Sequence, residues 1–175
     1  MVLSSSQGAT LIETLRVALA KAAGEVAAEQ ATVLAQAAAA LPAVDPAPPH
    51  PALPALGASV RRDLKVTDDD TAAAMGHPDP SVQVLGSPRL ALWFELVSCD
   101  LLPDPARGLT HVGAGILVHH LRPAVVGETV TVECVCASVS GRRVVMACTA
   151  RTAQRVVGLG VHHRVLRVGH TQARG

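Results

Sequence analysis

Apolar positions are densest between Gly86 and Leu102, and this nearly unbroken run predicts a single helix. Ser87 is a suitable N-cap, Pro88 suits the first helical position, and Pro103 ends the run. Because the predicted helix is apolar almost all round, we expect it to lie buried at the centre of the fold.

One carboxylate interrupts this apolar surface. At about 100° per residue, Arg89 and Asp100 fall within roughly 20° of each other, and Glu95 points about 120–140° away from them. Glu95 therefore shares its side of the helix with apolar residues. A carboxylate in such surroundings either finds a partner or favours its neutral form, which makes Glu95 a candidate for chemistry.

The remaining pattern is that of strands. Period-two alternation is clearest where Val130, Val132, Cys134 and Cys136 share one face. Short turns separate the runs, which favours an antiparallel sheet. A short helix is also expected to start near Thr67, because acidic residues favour the first turn of a helix. The predicted strands span residues 58–66, 114–122, 128–138, 144–152 and 155–168. One buried helix followed by a meander of strands predicts an α+β hotdog fold, in which the sheet wraps around the helix.

The N-terminal third has a different composition. Residues 1–41 have helical spacing, and Thr10 with Glu13 forms a capping-box pattern. This helix is mostly alanine and buries little area, so we expect it to pack on the main domain or on a partner subunit. The Pro- and Ala-rich residues that follow predict an extended linker. The expected organisation is a helical extension with its linker (1–56), a hotdog domain (57–168) and a flexible tail (169–175).

Composition excludes several functional classes. The chain has 175 residues and a formal net charge of +1, which gives no support to nucleic acid or a membrane surface as a partner. No apolar run is long enough to span a bilayer, and the N-terminus lacks the pattern of a secretory signal. Four cysteines in a chain of this length do not form a disulfide scaffold, so we expect a reducing, cytoplasmic setting.

Two histidine doublets lie in predicted strands, His119-His120 and His162-His163. Neighbours in a strand face opposite sides, so one imidazole of each pair can face the helix. A metal site of two histidines with Glu95 is one interpretation, and the alternative is that at least two of the histidines are surface strand residues. Cys134 and Cys136 lack the second pair of a zinc site and are interpreted as small buried residues.

Three motifs in the second half of the chain resemble the hotdog-fold thioesterases, most closely the fluoroacetyl-CoA thioesterase family. Residues 113–127 resemble that family's strand with a Gly seven residues before a His, followed by a Pro-containing turn and Gly. Residues 138–143 are similar to its Ser-Val-x-Gly-Arg-Arg hairpin, and residues 158–164 to its Gly-x-Gly-x-His-x-Arg strand. The resemblance covers residues 57–168 and leaves the N-terminal extension outside it.

The resemblance implies an active site at specific positions of this chain. The family's hydroxyl residue, typically Thr, falls on Ser87, its acid on Glu95 and its active-site histidine on His120. The glycine near the thioester carbonyl falls on Gly113. The strand arginine falls on Arg164, which would either hold Glu95 or bind a phosphate of CoA.

One feature of the fluoroacetyl-specific enzyme has no counterpart. That enzyme places aromatic residues ahead of its helix as a lid, whereas residues 67–86 contain no Phe, Tyr or Trp. Fluoroacetyl-CoA is therefore not implied as the substrate.

The resemblance implies a homodimeric thioesterase that acts on acyl-CoA or an acyl-carrier protein, with a small or medium acyl group. It implies no metal and no cofactor other than the CoA of the substrate. Three alternatives stay open: a non-catalytic acyl-thioester binding or regulatory module, a hotdog hydratase, and a structural protein acting through its N-terminal helix. The hydratase class requires an Asp and His pair that the sequence does not show.

Overall fold

The computed structural model describes residues 48–103 and 109–168. The predicted N-terminal helix, the first part of the linker (residues 42–47) and the predicted tail lie outside the described residues. Within the described ranges, no helix has the length and hydrophobicity needed to cross a membrane.

One α-helix and five strands make up the regular structure of the described residues. Their order is β1 (Ser59–Lys65), α1 (Ser87–Cys99), β2 (Leu109–His120), β3 (Thr129–Ser140), β4 (Arg143–Arg151) and β5 (Val156–Val168), with a short 3-10 helix at Asp68–Asp70 after β1. The strands form a single sheet in the order β1-β3-β4-β5-β2, and every pairing is antiparallel. The predicted α+β hotdog architecture is confirmed.

The bounds of the central helix differ from the prediction at both ends. Ser87 is the first helical residue and Gly86 is the N-cap, so the prediction of Ser87 as N-cap is wrong by one position. The helix ends at Cys99, and the amides of Leu101 and Leu102 bond to carbonyls three residues earlier. This tighter last turn satisfies the terminal carbonyls before Pro103 is reached.

Only one side of α1 is buried. Leu90, Phe94 and Val97 are fully buried against the inner face of the sheet. On the other side, Leu92 is 39% exposed and Leu96 is 47% exposed. The expectation of a helix buried all round is therefore wrong for a single chain, because the sheet covers one flank only.

The inner face of the sheet is built from the alternating residues that the pattern indicated. Val130, Val132, Cys134 and Cys136 of β3 are all fully buried, and β4 contributes Val144, Met146, Cys148 and Ala150.

The end of the Pro-rich segment lies against this sheet. The amide of His50 donates to the carbonyl of Gly141 over 2.7 Å, and the amide of Gly57 donates to the carbonyl of Cys136 over 2.8 Å. Leu53 packs against the core between these two contacts. The chain is thus attached to the sheet before β1 begins.

Two glycines of β5 determine how closely α1 approaches the sheet. A Cβ at Gly158 would lie 2.6 Å from Leu90 Cδ2, and one at Gly160 would lie 2.7 Å from Phe94 Cδ2 and 2.8 Å from the carbonyl oxygen of Leu117. Real Cβ atoms do not approach other atoms so closely, so any side chain at these positions would push the helix outward.

We predict that Gly160→Ala lowers the free energy of unfolding by about 1–3 kcal/mol, because the new methyl group overpacks the contact between helix and sheet. Gly115→Ala is the matched control, since a Cβ there meets nothing within 4 Å. Urea denaturation of both variants measures the difference. Equal stability of the two variants would contradict this account of the packing.

Candidate active site

The start of α1 and the end of β2 bring Ser87 and His120 together. Ser87 Oγ lies 3.0 Å from His120 Nδ1. His120 pairs in register with Gly158 of β5, and its side chain projects from the same face of the sheet toward the helix. Ser87 is exposed at the N-terminal turn, where free backbone amides and the helix dipole favour negative charge.

The protonation state of His120 suits it to accept the Ser87 proton. Burial lowers the pKa of His120 below its usual value of 6.5, so the imidazole is uncharged at pH 7. A neutral imidazole has one nitrogen that accepts a hydrogen bond, and Nδ1 faces the Ser87 hydroxyl. The pair therefore has the arrangement of a hydroxyl with its general base.

A second group of predicted residues surrounds Glu95. Arg164 Nη1 donates to Glu95 Oε1 over 2.9 Å. The Arg164 side chain is 5% exposed, whereas that of Glu95 is 43% exposed. A Cβ at Gly113 would lie 3.4 Å from the same Glu95 oxygen, so the missing side chain leaves space beside the carboxylate. Glu95 thus pairs with a buried cation and still reaches solvent.

All three nitrogens of the Arg164 guanidinium contact other groups of this chain. Its Nε donates to His111 Nδ1 over 3.2 Å, and its Nη2 lies 3.5 Å from the carbonyl oxygen of His111. Its Nη1 also lies 3.4 Å from His162 Nε2. Of the two roles considered for Arg164, these contacts favour holding Glu95 over binding a phosphate.

The five predicted site residues form two groups rather than one. Ser87 and Glu95 are eight residues apart, which is about 12 Å along a helix. His120 contacts the first of these residues, and Gly113 with Arg164 lies beside the second. A single chain therefore does not assemble a hydroxyl–histidine–carboxylate triad.

A β-bulge in β2 places Gly113 and His120 on the same face. Strict alternation would put residues seven apart on opposite faces of a strand. The register shifts between Gly113 and Gly115, so the phase changes by one residue. Both half-sites therefore face α1.

The histidine doublets alternate as predicted, but they are more buried than expected. His120 and His162 contact helix residues, and none of the four histidines is exposed. Two of them, His119 and His163, point away from the helix and are partly buried, whereas His162 is only 2% exposed because β5 is an interior strand. Burial lowers the pKa of His162 to about 4, with Arg164 contributing, and lowers that of His163 to about 4.

The metal-ligating interpretation has no geometric support in the described part of the chain. Among residues 48–103 and 109–168, no group of three or more His, Cys, Asp or Glu side chains is placed to hold a metal ion. The guanidinium of Arg164 contacts both Glu95 and His162. Cys134 and Cys136 are free thiols, both fully buried in the core.

Sequence reasoning missed two residues of the Glu95 group, His111 and Ser98, and placed the histidines of the doublets beside Glu95 only as metal ligands. His111 lies two positions before Gly113, and His162 lies two positions before Arg164, so each shares a strand face with a predicted residue. Ser98 follows Glu95 by three residues and lies on the adjacent turn of the helix. These spacings were a usable signal.

Comparison with known proteins agrees with the fold. The family model described as fluoroacetyl-CoA-specific thioesterase matches residues 66–167, more than half of the chain. A search of curated proteins found no match.

Solved structures give a consistent result. A hot-dog-like protein from Thermanaerovibrio acidaminovorans is similar with 25% identity and a TM-score of 0.59, over 66% of this chain and 84% of that one. A thioesterase superfamily member from Thermus thermophilus is similar with 22% identity and a TM-score of 0.60, over 65% and 84%. A variant of the fluoroacetyl-CoA-specific thioesterase FlK, in complex with fluoroacetate and CoA, has 23% identity and a TM-score of 0.59, over 65% and 95%.

The family match carries the assignment, and the structures support the fold. The chain belongs to the fluoroacetyl-CoA-specific thioesterase family and is a hotdog-fold thioester hydrolase.

Proposed function

We propose that this protein hydrolyses the thioester of a small or medium acyl group carried on CoA, and that it does so as a homodimer. The observation that carries the proposal is the 3.0 Å contact between Ser87 Oγ and His120 Nδ1 at the exposed N-terminus of α1. Catalysis is assigned to Ser87, Glu95 and His120, substrate positioning to Gly113, and the holding of Glu95 to Arg164. The catalytic unit is residues 57–168.

The chemistry follows from what each group can donate or accept. In one route Ser87 attacks the thioester carbonyl while His120 takes its proton, and this proton then passes to the departing thiolate. A water that gives its proton to His120 next hydrolyses the Ser87 ester, and the proton returns to Ser87 as the acid leaves. In the alternative route Glu95 takes a proton from the attacking water and passes it to the departing thiolate, while Ser87 orients the carbonyl. In both routes the Gly113 amide donates to the oxyanion, and the reaction consumes one water and yields a carboxylic acid and a thiol.

One observation supports CoA as the carrier, and two features of the segment ahead of the helix support an acyl group without fluorine. A family relative has been solved with CoA and fluoroacetate bound. In this chain the segment ahead of the helix folds back on its start, since the amide of Ala72 donates to Val84 and Met75 Sδ lies close to Gly86. That segment has no aromatic ring.

The four free cysteines support a reducing, cytoplasmic location.

The two edges of the sheet differ in a way that supports dimerisation. β1 forms one edge and has charged exposed side chains at Arg61, Asp63 and Lys65, which discourage pairing. β2 forms the other edge over twelve residues and exposes Ile116 and Leu117. A long apolar edge strand is a template for pairing, so we place the partner subunit along β2.

A two-fold axis at Leu117 would unite the two half-sites. With the extra residue of the bulge left out of the count, Gly113 and His120 each lie three positions from Leu117. Antiparallel pairing of two β2 strands then puts Gly113 of one subunit opposite the partner subunit's His120. Glu95 of one chain would then face the hydroxyl–histidine pair of the other. The same contact would cover the exposed Leu92 and Leu96 of α1.

The first prediction concerns turnover. We expect thiol release from at least one member of a panel of short, branched, aromatic and long acyl-CoAs, and a loss of about 100-fold or more in Glu95→Ala. Glu133→Gln is the matched control, because its strand neighbour Cys134 faces the helix and Glu133 therefore points away from the site.

The outcomes separate the alternatives. Turnover only with an acyl-carrier protein would replace CoA as the carrier. Binding of acyl-CoA without thiol release from either carrier would identify a non-catalytic module and contradict the proposal.

The second prediction concerns pH. His120 must be uncharged to act as a base, and burial lowers its pKa below 6.5, so the acid limb of kcat/KM should have its midpoint below pH 6.5. The residual activity of His120→Asn should lack this acid limb. An acid limb centred above about pH 7 would contradict the role of His120.

The third prediction concerns assembly. Ile116→Lys puts a charge on the apolar edge and should convert the dimer to a monomer with loss of turnover, as measured by sedimentation and thiol release. Arg61→Glu reverses a charge on the opposite edge, a change of two units, and should leave the dimer intact. A dimeric Ile116→Lys, or dissociation of Arg61→Glu, would show that β2 is not the interface.

A further inference from the structure

His162 and Ser98 form a hydrogen-bonded connection beneath the Glu95–Arg164 pair. The Ser98 hydroxyl donates to the carbonyl oxygen of Glu95 over 2.8 Å. Ser98 Oγ also lies 2.8 Å from His162 Nδ1. Since the hydroxyl has one proton and has already donated it, the Ser98 oxygen accepts from His162, and Nδ1 carries the proton.

The other ring nitrogen faces the guanidinium. Arg164 can only donate, and its Nη1 lies 3.4 Å from His162 Nε2. A neutral imidazole protonated on Nδ1 has its free lone pair on Nε2. The two contacts therefore require the same tautomer of His162, although they lie on opposite sides of the ring.

We propose that His162 is a positioning residue, fixed by Ser98 as the Nδ1–H tautomer, which holds the Arg164 guanidinium on the Glu95 carboxylate. The two protons of Arg164 Nη1 then go to Glu95 and to His162, while Nε donates to His111. These bonds oppose rotation of the guanidinium away from Glu95. The catalytic part of this inference rests on the proposed thioester hydrolysis.

The electrostatic surroundings agree with an uncharged ring. The titratable groups around His162 are Glu95 on α1, His111 on β2, and His163 and Arg164 on its own strand. Burial, followed by the charge of Arg164, lowers the pKa of His162 to about 4. Protonation of Nε2 would place a cation against the guanidinium, so the imidazole remains an acceptor near pH 7.

The tautomer can be measured directly in the full-length protein without any substrate. Long-range proton–nitrogen NMR at pH 7 should show His162 as the Nδ1–H tautomer in the wild type. Ser98→Ala removes one of the two contacts that require this form and should raise the population of the Nε2–H tautomer. A wild-type His162 that is protonated on Nε2, or charged at pH 7, would overturn the inference.

Two substitutions at position 162 separate positioning from simple packing. His162→Gln places an amide oxygen near the position of Nε2 and can still accept from Arg164, whereas the shorter His162→Asn cannot reach it. His162→Asn should lower kcat by about 10- to 100-fold, with KM changed by less than about threefold, because Glu95 is no longer held in place. His162→Gln should retain kcat within about threefold of the wild type, because it keeps the bond to Arg164. Equal kcat for the two folded variants would overturn the positioning role.

Failure of the proposed function has a different signature. In that case the wild type would hydrolyse no acyl-CoA, while the tautomer and its dependence on Ser98 remained as expected. That result would support the fixed Glu95–Arg164 pair and contradict only the reaction assigned to it.

Discussion

The close approach of one helix to two glycines is the constraint on which the site depends. Leu90 and Phe94 occupy the space that side chains at Gly158 and Gly160 would fill, so α1 lies directly on β5. Gly158 is also the register partner of His120. The depth of the helix therefore sets the distance from Ser87 to His120 and, two turns further on, the distance from Glu95 to Arg164. Packing and chemistry are determined by the same contact.

This constraint explains why the site is divided. A rigid helix keeps Ser87 and Glu95 about 12 Å apart, and no rearrangement of side chains brings them together. Each residue instead has its own partner on the sheet, His120 for the hydroxyl and Arg164 for the carboxylate. The two half-sites also differ in exposure, since Arg164 is buried and Ser87 is open to solvent. A second subunit along β2 is the simplest way to complete a site from these halves.

Much of the fold was predictable from the sequence because local rules determine it. The alternation from Val130 to Cys136 gave the buried face of β3, and the apolar run starting at Ser87 gave the helix. The site was predictable only in part. The phase change between Gly113 and Gly115 depends on pairing with β5, which no local pattern contains. The exposure of Leu92 and Leu96 was missed because periodicity describes a helix and not the number of surfaces packed against it.

The most direct test of a site shared between two chains is activity in a mixed dimer. Ser87→Ala and Glu95→Ala chains with different affinity tags are co-expressed, and the mixed dimer is isolated through both tags. If Glu95 of one chain serves Ser87 of the other, one of the two sites is intact, and about half of the wild-type turnover is expected although each parent is inactive. If the mixed dimer is as inactive as its parents, each site lies within one chain, and the account of two complementary half-sites is wrong.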